Sequence, residues 1–411
     1  MGQRKLRVAG VTVALALGVG VGRFVTYDSA GATEAPAAVD LQSVAAGHIR
    51  EAAETGDPAF YGLAERALDE ADALDPAAPA TTIVRGALAL ALHRFDEALA
   101  FGEAAMAANP SSAAAVGIVV DAQVELGRYD EAAASVQRML DLRPDLAALS
   151  RASYLRELNG DLSGAIEAMA AAEAAGGGAT FDVASIAALR GDLALSDGDL
   201  DGAGALYDRA LETAPALVIA QVGRARVLGA TGREAEAIAE LEAAVERVPV
   251  PAALELLAEL QERTGDTSGA SANRELVRAT ATLQEASGQV VDLEMAIFEA
   301  DYGDPVRAVE LARRTAAIRP GNVYVADALG WALLRSGDPA GAVEHVESAL
   351  RLGTVDAALR YHAAEVFAAV GNDDRARAEL ARAVDGTAWP AFRYRAPAET
   401  LADRLGVAVP R

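Results

Sequence analysis

Apolar residues recur along the chain at spacings of three and four, the period of an amphipathic α-helix. Tyr207, Ala210 and Leu211 form one such group. Because these spacings place side chains on one helix face, the pattern predicts helices of about 12 to 15 residues. Beyond the N-terminal region, no stretch of the sequence alternates between apolar and polar residues as a half-buried strand does. We therefore expect an all-α protein.

Glycines at a regular period divide the predicted helices into pairs. The intervals between them are 33, 38, 34, 33, 38, 34 and 34 residues, and His93 holds the equivalent position one repeat earlier. The glycines are Gly127, Gly160, Gly198, Gly232, Gly265, Gly303, Gly337 and Gly371. Repetition at such a period indicates a solenoid, in which each unit packs on its neighbours.

An alanine follows a few residues after each turn, where a larger side chain would push crossing helices apart. The alanines are Ala98, Ala132, Ala165, Ala203, Ala237, Ala270, Ala308, Ala342 and Ala376. Prolines follow several of these alanines after twelve residues, and each predicts the end of a helix because proline lacks an N–H. The prolines are Pro110, Pro144, Pro215, Pro249 and Pro320.

This pattern resembles the tetratricopeptide repeat, which has a 34-residue period, a small residue and a tyrosine or phenylalanine near the turn, and a closing proline. Residues 184–217 show it best, through Gly191, Gly198, Ala203, Tyr207, Ala210 and Pro215. The resemblance covers residues 79–388 and implies a right-handed alpha-alpha superhelix, a solenoid of about nine to ten helix hairpins. We expect an irregular hairpin over residues 41–78 and a capping segment over residues 389–411.

The repeat departs from the family pattern in two ways. The tryptophan of the family's first helix is missing from almost every unit, and the two 38-residue intervals imply inserted residues. We place one insertion at Gly176-Gly177-Gly178. The second lengthens the helix that follows Ala270, through Asn273 to Gly288.

Residues 1–32 predict an export signal. Arg4, Lys5 and Arg7 precede an apolar run over residues 8–22, and Ala30-Gly31-Ala32 offers a cleavage site before a linker over residues 33–40. The alternative is an uncleaved membrane anchor, because Arg23 interrupts the stretch before the cleavage site. Residues 326–334 and 356–370 resemble a group of exported bacterial repeat proteins of unassigned function. We expect a secreted, periplasmic or envelope protein.

Composition and charge limit the classes of partner that we expect the chain to bind. Hydrophobic residues make up 52% of the chain but aromatic residues only 5%, which suits close helix packing through alanine. The net charge is −24, and residues 1–32 contribute +3, so the remainder carries −27. Such a surface repels phosphates and anionic lipids. We expect a protein or peptide partner, no nucleic acid, and membrane contact only if the N-terminal segment stays uncleaved.

The residue inventory excludes several kinds of catalysis. The chain contains no cysteine, and its single lysine is Lys5. Beyond the signal, no lysine exists to form a Schiff base or to bind phosphate in a P-loop. We therefore predict a protein that is not an enzyme and has no cofactor. The alternative is a groove that binds a small ligand or hydrolyses one with paired carboxylates, since acidic residues number 60.

Two groups of residues suggest metal sites, and for both we favour another interpretation. His362 and Glu365 stand three apart on a predicted helix, with His345 on the preceding helix, but a packed histidine is the commoner structure. An acidic run lacks the loop spacing of a calcium site and indicates a solvated helix face. It comprises Asp292, Glu294, Glu299, Asp301 and Asp304.

The candidate partner-binding residues lie near the C-terminus. Steps of 100° per residue place an aromatic and charged stripe on one face of the helix around Trp331, opposite Ala326, Leu329, Gly330 and Leu333. The stripe comprises Tyr324, Asp327, Trp331, Leu334 and Arg335, and the next repeat adds Tyr361 and Glu365. The alternative is that Trp331 packs between repeats. The leading hypothesis is an exported interaction scaffold, and a structural role in an envelope complex is a further one.

Overall fold

A computed structural model describes residues 36–76, 78–176, 180–384 and 392–409 of the 411-residue chain. All regular structure within these ranges is helical, in 21 α-helices and a 3-10 turn. The predicted all-α superhelix is thus confirmed. The predicted export segment, residues 1–32, lies outside the described ranges, and so do Gly177 and Gly178 of the first predicted insertion.

The helices follow one another in hairpins. They are α1 (Pro36–Thr55), α2 (Ala59–Leu74), α3 (Pro79–Ala91), α4 (Phe95–Ala108), α5 (Ala113–Glu125), α6 (Tyr129–Leu142), α7 (Leu146–Leu158), α8 (Leu162–Ala175), α9 (Thr180–Asp197), α10 (Leu200–Thr213), α11 (Val218–Ala230), α12 (Glu234–Arg247), α13 (Pro251–Thr264), α14 (Thr267–Ala286), α15 (Asp292–Tyr302), α16 (Pro305–Ile318), α17 (Val323–Arg335), α18 (Pro339–Ala349), α19 (Ala357–Ala369), α20 (Asp373–Val384) and α21 (Arg395–Leu405). Each odd-numbered helix from α1 to α19 packs against the even-numbered helix that follows it.

The first helices of successive hairpins also contact one another, as α15 contacts α17 and α17 contacts α19. A row of first helices therefore lines the inner side of the superhelix.

The small residues of the repeat are buried where helices cross. All nine repeat alanines, from Ala98 to Ala376, are 0% exposed, which confirms the prediction that they fill close crossings. Two glycines make room for the aromatic side chain of Tyr207, which is also 0% exposed. A Cβ atom at Gly223 would lie 2.2 Å from the Tyr207 ring, and one at Gly191 would lie 2.7 Å from it. A larger side chain at either glycine would displace the ring.

Most of the turns within the hairpins contain a residue in the left-handed backbone conformation. Of the eight predicted turn glycines, all but Gly303 have positive φ, and Gly303 has φ −130°. His93, which stands in a glycine position of the repeat, has φ 57°. Since a side chain strains this conformation, a contact made by His93 must compensate for it. The second predicted insertion is confirmed, because α14 extends to 20 residues whereas α12 has 14.

Successive turns of the superhelix touch along a line that we call the seam, where hairpin turns near the N-terminus contact loops about 194 residues later. His93 Nδ1 lies 2.8 Å from the carbonyl oxygen of Val290, 197 residues away. The N–H of Val290 donates to the carbonyl oxygen of Leu92 at 3.0 Å. One hairpin further, a Cβ at Gly127 would lie 1.9 Å from the backbone of Gly321.

A buried ion pair fastens the middle of the seam. The guanidinium of Arg319 pairs with the carboxylate of Glu125, and its Nε donates to the Glu125 carbonyl oxygen at 2.8 Å. The side-chain amide of Asn322 donates to the same carbonyl oxygen at 2.9 Å. Burial raises the pKa of Glu125, and the positive charge of Arg319 opposes this shift. The seam therefore shortens the open groove that a simple solenoid would present.

Candidate functional site

A large open space lies between the first helices of the last four hairpins. We call it the inner groove: a volume of about 1020 Å³ between helices α13, α15, α17 and α19 and the C-terminal segment. The C-terminal segment is the 3-10 turn Phe392–Tyr394 together with α21. Helix α21 rests against α20, through buried residues that include Ala398 and Leu405.

Trp331 of α17 lies at the centre of the inner groove. Its ring stacks on His362 of α19, with ring centroids 4.2 Å apart, and its Nε1 donates to Asp301 Oδ1 at 2.8 Å. Tyr361 lies beside it at 6.1 Å between centroids. Trp331 is only 4% exposed, and Tyr394 of the C-terminal segment covers part of its ring.

The C-terminal segment inserts an arginine and a tyrosine into the groove. The guanidinium of Arg393 pairs with the carboxylates of Glu259 and Asp301, and its Nε lies 2.8 Å from Asp301 Oδ2. The hydroxyl of Tyr394 donates to the same Oδ2 at 2.7 Å. The Tyr394 ring stacks on that of Tyr361 at 4.9 Å. Asp301 therefore joins the floor of the groove to the segment that covers it.

Phe392 extends the contact across the superhelix to α11 and α13. The guanidinium of Arg263 lies 5.0 Å from the centre of the Phe392 ring, a cation–π contact. A Cβ at Gly229 of α11 would lie 2.8 Å from the Phe392 ring. The three residues Phe392–Tyr394 thus reach five first helices, from α11 to α19.

Models of known protein families match the repeats of this chain. Models described as tetratricopeptide repeat match residues 89–154, 194–272 and 328–391, which together span about half of the chain. The chain is a tetratricopeptide repeat protein. The sequence resemblance is thereby confirmed.

Solved structures of several repeat proteins are similar to the chain. A tetratricopeptide repeat protein of Thermus thermophilus has 22% identity and a TM-score of 0.39, covering 45% of this chain and 98% of that one. One from Parabacteroides merdae has 17% identity and a TM-score of 0.38, with 64% and 98% covered. The human IFIT1 dimer with PPP-AAAA has 13% identity and a TM-score of 0.49, with 92% and 97% covered. No curated protein matches the chain.

Of the seven residues selected from the sequence, Leu334 lines the inner groove, and the other six divide into two sets in this tetratricopeptide repeat protein. Trp331, Arg335, Tyr361 and Glu365 line the inner groove together. Glu365 accepts a hydrogen bond of 2.8 Å from the Tyr361 hydroxyl. Arg335 lies over the Trp331 ring at 5.6 Å and donates from Nε to the carbonyl oxygen of Ala300.

The other two residues are buried away from the groove surface. Asp327 accepts from His362 Nδ1 at 2.9 Å, so it holds the ring on which Trp331 stacks. Tyr324 is buried and shares a hydrogen bond with Tyr154 of α7. The helical projection placed both in the same stripe as Trp331, but it could not show that the superhelix brings α7 against α17.

The residues weighed as metal ligands make contacts within the chain. His362 faces Asp327, whereas Glu365 faces Tyr361. In the acidic run, Asp292 pairs with Arg314 and Glu299 with Arg278. Within the described ranges, no three histidine, aspartate or glutamate side chains converge as metal ligands. No described helix combines the length and the apolarity that crossing a bilayer requires.

Several inward-facing carboxyl groups hold their protons more tightly than usual. Burial, together with the nearby negative charges of Asp192 and Asp356, raises the pKa of Glu157 to about 8. Burial also raises the pKa of Glu255 to about 7, while Arg393 opposes that shift. For Asp192, burial raises the pKa to about 6 although Tyr207 donates a hydrogen bond to it. Negative charge is therefore costly at these three positions.

Proposed function

We propose that this tetratricopeptide repeat protein is a non-catalytic scaffold that binds a segment of another protein in its inner groove. The observation that supports this proposal is that the groove already holds polypeptide. Three consecutive residues, Phe392–Tyr394, contact helices α11 to α19 through ion pairs, hydrogen bonds and ring stacking. A surface that binds one short segment of chain offers the contacts that a partner segment needs.

The groove residues take distinct roles in this proposal. Trp331 and Tyr361 form an aromatic floor, the kind of surface that dominates binding energy at protein interfaces. Arg335 and Glu365 provide charges of both signs at its edge. Tyr324 and Asp327 contribute from beneath, because Asp327 fixes His362 and Tyr324 anchors α17 against α7.

The proposed location is outside the cytoplasm, either released or held in the cell envelope. The support is the basic and apolar sequence of residues 1–32 with its small-residue cleavage site. N-terminal sequencing of protein from the native host tests this proposal. A mature N-terminus near Thr33 supports a cleaved signal, whereas an intact Met1 in a membrane fraction indicates an anchor.

Affinity capture tests the binding function. The full chain serves as bait in extract of the native host's envelope, beside an Arg335→Glu variant and an outer-surface control, Glu242→Gln. Arg335 is exposed at the edge of the groove, so its reversal changes the groove charge without opening the core. We expect a partner recovered with the unmodified chain and the control but lost with Arg335→Glu. Identical recovery with all three baits would show that binding occurs elsewhere.

A further inference from the structure

The two carboxylates at the end of the inner groove are built to receive a cation. The side chains of Glu259 and Asp301 are each only 4% exposed, and they approach the same guanidinium, that of Arg393. A buried carboxylate requires a charged or hydrogen-bonding partner, because removing it from water is costly. Arginine fits two such groups better than lysine, since its planar guanidinium offers several donors in fixed directions.

An aromatic position lies directly beside this arginine position. The Tyr394 ring stacks on Tyr361, meets Trp331 edge-on at 5.7 Å between centroids, and meets His362 at 5.1 Å. Its hydroxyl donates to Asp301. Stacked and edge-on ring contacts each add stability beyond the burial of the ring. The groove therefore recognises an arginine followed by an aromatic residue as one unit.

Most contacts of this unit are with residues far away in the sequence. Arg393 and Glu259 are 134 residues apart, and Tyr394 and Asp301 are 93 residues apart. Helix α21 has its own attachment to α20, where the Nε of Arg377 donates to the carbonyl oxygen of Leu405 at 2.9 Å. Each repeat hairpin is held by packing between its own two helices, to which Phe392–Tyr394 does not belong. The segment is bound in the manner of a ligand.

We infer that the inner groove recognises a partner segment bearing an arginine followed by an aromatic residue, and that Arg393 and Tyr394 occupy this site within the free chain. The inference rests on the proposed scaffold function and names the chemistry of the partner. The charge supports it as well, since a body with a net charge of −27 beyond residue 32 attracts a cationic segment. A covalently attached segment competes at an effective concentration in the millimolar range.

A synthetic peptide with the sequence of residues 392–405 tests the inference. Fluorescence anisotropy measures its binding to the full chain and to a double variant, Arg393→Ala with Tyr394→Ala, whose own segment no longer fills the site. We expect the double variant to bind the peptide at least tenfold more tightly than the unmodified chain. A peptide carrying Arg393→Gln should bind at least tenfold more weakly than the original peptide. Equal binding to both chains, or no effect of the peptide change, would overturn the inference.

Hydrogen exchange on the unmodified chain is a second test, which does not depend on whether the double variant folds. Excess peptide should displace Phe392–Tyr394 and speed amide exchange in those three residues, whereas the Arg393→Gln peptide should not. No change with either peptide would contradict the inference. Light scattering identifies a different occupant: if the segment of a second copy fills the groove, the unmodified chain dimerises and the intramolecular inference fails.

The outcomes separate this inference from the scaffold function. If capture identifies a partner that depends on Arg335 but the peptide neither binds nor competes with it, the scaffold function stands and the partner chemistry is wrong. If the peptide binds as expected but capture shows no dependence on the groove, the partner function fails while the internal contact stands.

Discussion

The seam and the inner groove both join residues far apart in the sequence, but different chemistry holds them together. At the seam, backbone groups approach one another directly, as where Val290 donates to Leu92 and where Gly127 approaches Gly321, and one buried ion pair joins Arg319 to Glu125. In the groove, three consecutive side chains reach into a space lined by aromatic rings and charges. Every seam contact links two hairpins that are fixed by their repeats, whereas the groove contact links the repeats to a short terminal segment.

This difference indicates that the two regions have different roles. Separating the seam requires changing the spacing of whole superhelical turns, so its contacts serve stability. Displacing Phe392–Tyr394 requires no movement of any hairpin, so the groove can exchange one segment for another. Variants in each region can test this division.

Breaking the buried ion pair of the seam should have the largest effect. Arg319→Ala leaves Glu125 buried without its partner, and we expect a loss of about 3 to 5 kcal/mol in the free energy of unfolding. The matched control is Arg128→Ala, which removes the exposed pair with Glu131 and should change stability little, because water screens that pair. Urea denaturation measures both. Similar losses of stability for the two variants would mean that the buried pair at the seam stabilises the fold no more than the exposed pair does.

Enlarging a repeat alanine tests the packing of helices within a hairpin, away from the seam and the inner groove. Ala203 is 0% exposed between helices, so Ala203→Leu should cost about 1 to 3 kcal/mol through overpacking. The exposed control Glu242→Gln should stay within about 0.5 kcal/mol of the unmodified chain. Thermal or urea unfolding decides the matter. An Ala203→Leu variant as stable as the unmodified chain would count against the repeat register.

Removing the inserted arginine should cost less than breaking the seam. Arg393→Ala leaves Glu259 and Asp301 unpaired, but water can enter the groove once the segment is displaced, so we expect a loss of about 1 to 2 kcal/mol. Urea unfolding at constant pH measures it. A loss as large as that of Arg319→Ala would make the segment a structural part of the fold and remove the distinction between the two regions.

The inward-facing carboxyl groups predict an unusual dependence of stability on pH. A carboxyl whose pKa is raised in the folded state stabilises the fold below its ordinary pKa, and this contribution is lost as the pH rises through the folded pKa. For Glu157 the loss falls between about pH 4 and its folded pKa of about 8. Glu157→Gln should therefore stabilise the protein at pH 9 relative to its effect at pH 5. Equal effects at both pH values would show that Glu157 keeps an ordinary pKa.

The hairpins could be predicted from sequence because each is fixed by residues close together in the chain. The alanine after the turn, the turn glycine and the closing proline act within one repeat, as Ala203, Gly198 and Pro215 do. Family models and the helical structure confirm that part. Whether the selected stripe residues bind a partner stays a prediction.

The seam and the filled groove could not be predicted in this way, because they depend on how far the superhelix turns over about 194 residues. Helix packing angles set that turn, and small differences accumulate over the roughly six hairpins in that span. One local signal did exist. His93 replaces a glycine at positive φ, and its ring reaches the carbonyl oxygen of Val290 across the seam. A residue that departs from a repeat at some cost in strain is therefore a guide to contacts outside that repeat.

The position of the C-terminal segment can be tested directly, because the chain contains no cysteine of its own. Gly229→Cys and Phe392→Cys introduce two thiols where the Phe392 ring now contacts α11. A short bismaleimide should join them within one chain, and excess peptide of residues 392–405 should suppress the cross-link. The control pair, Gly47→Cys with Phe392→Cys, should not react, because no atom of Phe392 lies within 4 Å of a Cβ at position 47. Absence of the cross-link at 229, or its formation only between two chains, would contradict a groove filled by its own C-terminal segment.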